Sequence, residues 1–203
     1  MKEFGQFFIR IMLIVIVSTI IISCKKKVNN RSDLIAYINN ADNGLIKTNQ
    51  IGKIKAELHF KPWQLMSLSN NDKNGVKGNK YPIENFSGKF FFVLSLSANN
   101  KELLKQLPLR QYSEMVSVMA FRMNEFVEIV PDGNKPVDPV ECIFEQTYGM
   151  GIANNLLLVF DNKELIGTNN LSVKIKEFGL DTGDLNFSIK TKDIIKLQNI
   201  ALN

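Results

Sequence analysis

KFFFVLSLS, residues 89–97, is the stretch that decides the fold. It is apolar and rich in phenylalanine, and polar residues surround it. A glycine-containing polar loop, residues 70–80, lies upstream, and Asn99 and Asn100 follow closely. A short apolar run of this kind between turn-forming residues is typical of a strand in the middle of a sheet. The sequence therefore predicts a central strand here.

The neighbouring stretch, residues 54–61, alternates between two kinds of side chain. One face is apolar and the other is polar: Ile54, Ala56, Leu58 and Phe60 against Lys55, Glu57, His59 and Lys61. This period of two indicates a half-buried strand in an antiparallel sheet. Pro62 ends it, because proline cannot donate a backbone hydrogen bond.

Further segments complete a strand-dominated chain. Strands are predicted at residues 140–147, 156–160, 171–176 and 185–189, the last two joined by a turn at 181–184. Helices are predicted at residues 33–39, 103–107 and 112–127, and residues 192–202 fit either a strand or a short helix. Residues 126–130 also fit a strand. The expected fold class is α+β, an antiparallel β-sheet or sandwich with two or three helical segments.

The long helix carries a stripe of methionines, Met115, Met119 and Met123. A flexible methionine surface can serve as a binding groove, but the spacing of four residues also suits a buried helix face. We expect the stripe to belong to the core.

The N-terminus has the layout of a secretory signal peptide. Lys2 and Arg10 precede an apolar run, residues 11–22, which ends at Ser23 and Cys24. The uncharged part is shorter than the roughly 20 residues that span a bilayer. Its end resembles the lipobox of bacterial lipoproteins, which implies removal of residues 1–23 and a lipid on Cys24. An uncleaved N-terminal anchor is the alternative.

The charge of +5 is confined to the beginning of the chain. Residues 24–31 form a basic tether, and Lys25, Lys26 and Lys27 would attract anionic headgroups weakly. Without the six cations and one acid of residues 1–31, the remaining chain has 19 basic and 19 acidic residues. Residues 32–203 therefore form a neutral, single globular β-rich domain, and no nucleic-acid partner is expected.

The chain offers little for catalysis. His59 is the single histidine, so a multi-histidine metal site cannot form, and a Ser-His-Asp triad would require this one residue. It shares a polar strand face with Glu57 and Lys61, where an exposed ring is expected. Glu141 and Glu145 share a strand face about 13 Å apart, too far for a glycosidase pair. No catalytic residue, metal site or cofactor is predicted.

Three other positions have specific expectations. Cys142 lies in an apolar alternation and should be a small buried hydrophobe. Gly149 and Gly151 should mark a bulge or turn. Trp63, beside Pro62 at a strand end, fits either a half-buried core position or a stacking platform for a partner, and it is the candidate partner-binding residue.

The segment YINNADNGLIKTNQIGKIKAELHFKPWQLM, residues 37–66, resembles uncharacterised envelope lipoproteins of Bacteroidetes-type bacteria. FEQTYG, residues 144–149, is similar as well. The resemblance implies anchoring to a membrane by the lipid on Cys24. Lysines rather than acidic residues follow that cysteine, which favours an outer-membrane protein whose domain faces the periplasm.

Two functions are consistent with this interpretation. The first is a non-enzymatic interaction or assembly module with an envelope protein as its partner. The alternative is an envelope hydrolase whose active-site residues are not recognised from the sequence.

Overall fold

The computed structural model describes residues 28–69 and 84–201. These residues form two antiparallel sheets. In chain order, the strands are β1 (Ile46–Ile51), β2 (Ile54–Lys61), β3 (Lys89–Ala98), β4 (Lys101–Glu102), β5 (Val127–Pro131), β6 (Glu141–Glu145), β7 (Asn154–Asp161), β8 (Asn170–Ile175) and β9 (Leu185–Lys190). The first sheet has the order β1-β2-β3-β7-β6, with β4 also paired to β3, and the second has the order β5-β8-β9. The predicted α+β, strand-dominated class is confirmed.

The helices in the described residues are short; three lie between strands, one precedes β1 and one follows β9. They are α1 (Arg31–Asn39), α2 (Trp63–Ser69), α3 (Glu84–Ser87), α4 (Leu109–Ser117) and α5 (Thr191–Gln198). They outnumber the two or three helical segments predicted, because α2 and α3 are too short to show a clear helical period. The ambiguous C-terminal segment is the helix α5.

The long predicted helix, residues 112–127, changes character along its length. It begins earlier, as α4, continues as a π-helix over Val118–Arg122 and ends as a 3-10 turn over Met123–Glu125. The strand β5 then starts at Val127, so the alternative strand interpretation of this end is confirmed. The three methionines are buried, as expected.

The strand β3 is central to its sheet, as its apolar sequence predicts. It pairs with β2 on one side and with β7 on the other. The ring of Phe92 in β3 packs edge-to-face on the rings of Phe60 in β2 and Phe160 in β7. Its centroid lies 5.5 Å from that of Phe60 and 6.1 Å from that of Phe160. Such aromatic contacts add to the stabilisation that comes from burying the rings.

The apolar faces of both sheets contribute to one buried cluster. From the second sheet its members are Val127, Ile129, Leu171, Val173, Ile175, Leu185, Phe187 and Ile189. The sheets approach each other at β1 and β9, where Asn49 Nδ2 donates to the carbonyl oxygen of Asn186 at 3.1 Å. The alternating apolar residues of both sheets thus build a single shared core.

The strand β1 was not predicted. It reads IKTNQI, and its polar residues Lys47, Asn49 and Gln50 interrupt any apolar alternation. It is an edge strand paired only with β2 in its sheet, through a tight turn at Gly52 and Lys53. An edge strand needs fewer apolar side chains, because one side of it faces solvent or another element.

Candidate interaction surface

In the described part of the chain, the two sheets end in four principal edge strands, and three of them make a hydrogen bond to a segment other than their sheet neighbour. The fourth, β6, makes none there, although residues 118–125 pack against it. β1 and β9 meet through Asn49 and Asn186. On the outer side of β5, Ile129 and Val137 exchange backbone hydrogen bonds of 2.9 and 2.8 Å. β6 pairs with β7 alone within residues 28–69 and 84–201. Below, the β6 edge means the side of β6 away from β7, together with the exposed side chains Glu141, Ile143 and Glu145.

The side chains of β6 divide between two environments. Cys142 and Phe144 pack against the buried cluster. Glu141 and Glu145 are exposed on the opposite face, and Ile143 between them is 43% exposed. Ile143 lies opposite the half-buried Leu157 of β7, so an apolar side chain sits at the margin of this face, between two carboxylates.

The loop that joins β6 to β7, residues 146–153, is called the tip below. It presents three large apolar side chains to solvent: Tyr148, Met150 and Ile152 are 77, 87 and 79% exposed. Tyr148 and Gly149 both have positive φ angles, 51° and 80°, and the amide of Met150 donates to the carbonyl oxygen of Thr147 at 3.0 Å. The turn expected from the glycines is present.

The backbone angle of Gly149 favours glycine, and the end of the Lys105 side chain lies beside it. A Cβ atom at this position would lie 1.6 Å from Cε of Lys105, whose side chain occupies the space. Any other residue would have to displace that lysine and adopt a left-handed conformation. The tip and the segment after β4 therefore pack closely.

A buried carboxylate holds the base of the tip. Glu102 of β4 is 3% exposed and accepts hydrogen bonds from the hydroxyl of Thr147 and from the amide of Gly151, the latter at 2.7 Å. Burial alone would raise the pKa of Glu102, but these bonds, the amide of Gly149 and the charge of Lys105 lower it overall. The ionised carboxylate thus organises a loop more than forty residues away in the chain.

Trp63 is half-buried, and its polar atom is used within the protein. Its Nε1 donates to the carbonyl oxygen of Gln198 at 3.1 Å. The next residue, Gln64, donates through Nε2 to the carbonyl oxygens of Leu197 and Ile200 at 2.9 and 2.8 Å. The two side chains satisfy carbonyl groups that a helix end leaves open, so part of the role of Trp63 is to hold the end of α5.

His59 is half-buried rather than exposed, because α1 packs beside it. Nε2 is 2.8 Å from the carbonyl oxygen of Ile38, to which it donates, and Nδ1 accepts from Nζ of Lys61 at 3.0 Å. Burial and the charge of Lys61 lower the pKa of His59, although the contact with Ile38 and the charge of Glu57 oppose them. Both ring nitrogens are engaged, and the contact of Nε2 with Ile38 ties α1 to the sheet.

Cys142 is half-buried, so its predicted burial is only partial. It lies on an edge strand, where only one neighbouring strand covers the side chain. Burial and the nearby Glu141 raise the pKa of its thiol to about 12, so the thiolate is scarce at neutral pH. Cys24, the predicted lipidation site, lies outside the described residues.

Residues 28–69 and 84–201 contain no group of three or more His, Cys, Asp or Glu side chains placed to hold a metal ion. None of the helices among them is long and apolar enough to cross a membrane. Comparison with family models, curated proteins and solved structures finds no significant match for this chain.

The sequence did not single out the residues that build this surface. Tyr148, Met150 and Ile152 alternate with small residues, as the side chains of a strand would, and nothing local predicts that all three face solvent. The one local indication was the pair of glycines, which predicted the turn. No feature of the sequence indicated that Glu102 holds the tip, because its partners are distant in the chain.

Proposed function

We propose that this protein is a non-enzymatic interaction or assembly module, held at the bacterial envelope membrane by a lipid on Cys24. The observation that carries the proposal is the tip, with three large apolar side chains more than three-quarters exposed on one short loop. Contiguous exposed apolar surface on a folded protein commonly marks a contact with another molecule. The β6 edge lies next to the tip in the chain and adds unpaired backbone groups to the same region.

The arrangement is suited to binding because the tip is held before any partner arrives. The contacts of Glu102 with Thr147 and Gly151 fix the base of the loop, and Lys105 packs against Gly149. A loop ordered in advance loses less conformational entropy on association. Tyrosine is also a frequent anchor in interfaces, since it offers a large apolar area and a polar end. Trp63 is a secondary candidate, because part of its indole remains accessible.

The membrane part of the proposal rests on the leader. An apolar run that ends at Ser23 and Cys24 resembles a lipobox, and several acyl chains together anchor a protein stably, which a single chain does not. Labelled palmitate should enter the wild-type chain and should not enter the Cys24→Ser variant. Equal labelling of the two would contradict the lipoprotein assignment.

Crosslinking from the tip tests the interaction. A photoreactive amino acid at position 150 in the full-length chain should give discrete crosslinked species in intact cells. The matched control carries the same amino acid at Glu164, an exposed position in another loop, and should give none. The same crosslinks from both positions would contradict a role for the tip.

A further inference from the structure

We propose that the β6 edge binds an extended segment of the partner in which two basic side chains flank an apolar one, in the order basic, any, apolar, any, basic. The inference rests on the proposed function and adds the chemistry of the partner. Three features carry it: the backbone groups of β6 that are not paired with a second strand, the two exposed carboxylates and the apolar side chain between them.

The backbone of β6 is not paired with a second strand in the described residues, although the π-helix Val118–Arg122 and the turn Met123–Glu125 pack against β6. Within an antiparallel sheet, alternate residues of an edge strand direct their N–H and C=O groups away from the only neighbour. In residues 28–69 and 84–201, β7 is the one strand that pairs with β6. No backbone hydrogen bond from another segment reaches Glu141–Glu145 in the same part of the chain. An extended peptide added at such an edge satisfies these groups, and its side chains provide selectivity.

The charges of the edge select a basic partner. Glu141 and Glu145 are both exposed, and neither forms an ion pair with a lysine or arginine among the described residues. Their neighbours on β7 are Val159 and Asn155, which carry no charge. The two glutamates are separated by about 13 Å along the strand, the spacing of residues four apart in an extended ligand. Two such basic residues would face the two carboxylates.

The residue between the carboxylates defines the middle of the ligand. Ile143 is 43% exposed, and it lies beside Leu157, which in turn pairs with Val93 of β3. Leu157 and Val93 are half-buried. An apolar side chain at the centre of the incoming strand would extend this row and cover Ile143. Cross-strand pairs of this kind are a principal source of stability in sheets.

The same charges argue against a second copy of this chain as the occupant. Two β6 strands paired antiparallel about Ile143 would place Glu141 of each copy opposite Glu145 of the other. Like charges directly opposite each other destabilise a strand pair. Carboxylates on an edge also protect it from uncontrolled pairing. The β6 edge therefore disfavours a second copy of β6 and favours a segment of opposite charge.

A charge-reversal experiment tests the inference. The probe is a fluorescein-labelled peptide with the sequence Thr-Lys-Thr-Val-Thr-Lys-Thr, titrated with the full chain in detergent micelles at low salt while fluorescence anisotropy is recorded. The peptide should bind, and its affinity should fall about tenfold for the double variant Glu141→Lys and Glu145→Lys, since two attractions become repulsions. A peptide with glutamate in place of both lysines should bind that variant better than it binds the wild type.

The matched control is the double variant Glu114→Lys and Glu164→Lys, which changes the same net charge at exposed positions outside the sheets. It should bind the basic peptide like the wild type. Hydrogen exchange provides a second measurement, because the outward amides of β6 should exchange more slowly with the peptide bound. Should the charge-reversed variant fail to fold, the variant Glu141→Gln with Glu145→Gln should still lose affinity.

The outcomes separate the inference from the proposed function. Absence of binding by the basic peptide, or equal affinity for the wild type and the β6 variants, would overturn the inference. If the peptide test fails in either way but position 150 still gives discrete crosslinks, the proposed function stands and only the inference fails. Binding of phosphatidylglycerol vesicles that blocks hydrogen exchange at β6, with no peptide binding, would also overturn the inference and assign the surface to lipid.

Discussion

Each of two loops is held by a carboxylate that accepts hydrogen bonds from backbone amides, but the apolar side chains of one loop are buried and those of the other are exposed. The loop between β8 and β9, residues 176–184, surrounds Glu177, which accepts from the amides of Gly179, Leu180 and Thr182, each at 2.7 Å. The tip surrounds Glu102 in a comparable way. The acceptor of the first loop lies within the loop, and that of the tip lies on β4.

The apolar side chains of the two loops point in opposite directions. In the β8–β9 loop, Phe178 and Leu180 are 5% exposed each, and the ring of Phe178 packs 6.0 Å from that of Phe126. In the tip, the apolar side chains face solvent. Burial of its own side chains helps to hold the first loop, whereas the tip gains nothing from such burial and depends more on Glu102. In the tip, where the apolar side chains face solvent, a distant carboxylate thus takes the place of core contacts.

Removal of the distant carboxylate should have the largest effect. Glu102→Ala should lower the free energy of unfolding by about 2–3 kcal/mol, because Thr147 and Gly151 lose an acceptor that lies in a buried position. Glu177→Ala should cost about 1 kcal/mol, since its loop retains the buried Phe178 and Leu180 and water can reach its amides. Urea denaturation followed by the fluorescence of Trp63, the one tryptophan, measures both. Equal losses would remove the distinction between the loops.

Acid should weaken both loops in the same direction. The pKa values of Glu102 and Glu177 are lowered from the ordinary 4.5, because backbone and hydroxyl hydrogen bonds favour the charged forms more than burial opposes them. The stability they contribute is therefore fully present above pH 4.5 and is lost as the pH falls through their folded-state pKa values. The stability gap between the wild type and Glu102→Gln should narrow over this range. A gap that widens on acidification would contradict the assignment.

His59 should make a separate and smaller contribution to the pH dependence. Its pKa is lowered from 6.5, so the unfolded chain binds a proton at a higher pH than the folded one does. Stability should therefore decrease as the pH falls from about 6.5 toward the folded-state pKa. The variant His59→Gln should lack this component when urea denaturation is repeated between pH 5 and 8. An unchanged profile would show that burial and the charge of Lys61 do not disfavour the charged ring in the folded protein.

Tyr148→Gly should have the smallest effect on stability and a large effect on the interaction. Glycine relieves the positive φ of 51° but makes the unfolded chain more flexible, so the free energy of unfolding should rise by less than about 1 kcal/mol. Crosslinking at position 150 should nevertheless decrease, because the aromatic anchor is gone. Tyr148→Phe is the control and should retain both properties. An undiminished crosslink in the glycine variant would exclude the ring from the contact.

The strands with regular alternation could be predicted from the sequence, and those without it could not. The stretch at residues 89–97 and its partner at 54–61 correspond to β3 and β2, because hydrophobic burial determines where these side chains lie. β1 was missed because an edge strand tolerates polar residues. The two-residue β4 has no periodicity at all.

The candidate surface was harder to predict from the sequence than the fold was. The alternation at Glu141–Glu145 correctly separated its two faces, but nothing local indicates that β6 lacks a second neighbour. Edge position depends on the order of strands, which is set by contacts between distant segments. The same is true of Glu102, whose role is visible only once Thr147 and Gly151 lie beside it.

The contacts of Trp63 and Gln64 with the end of α5 have a consequence for the folding reaction. These bonds join residues more than 130 positions apart, and α5 also places Ile194 and Leu197 in the core. Contacts of such large sequence separation form slowly, because the intervening chain must first be ordered. A nascent chain that has not yet reached α5 cannot complete its core. It should therefore remain open to chaperones until α5 is made.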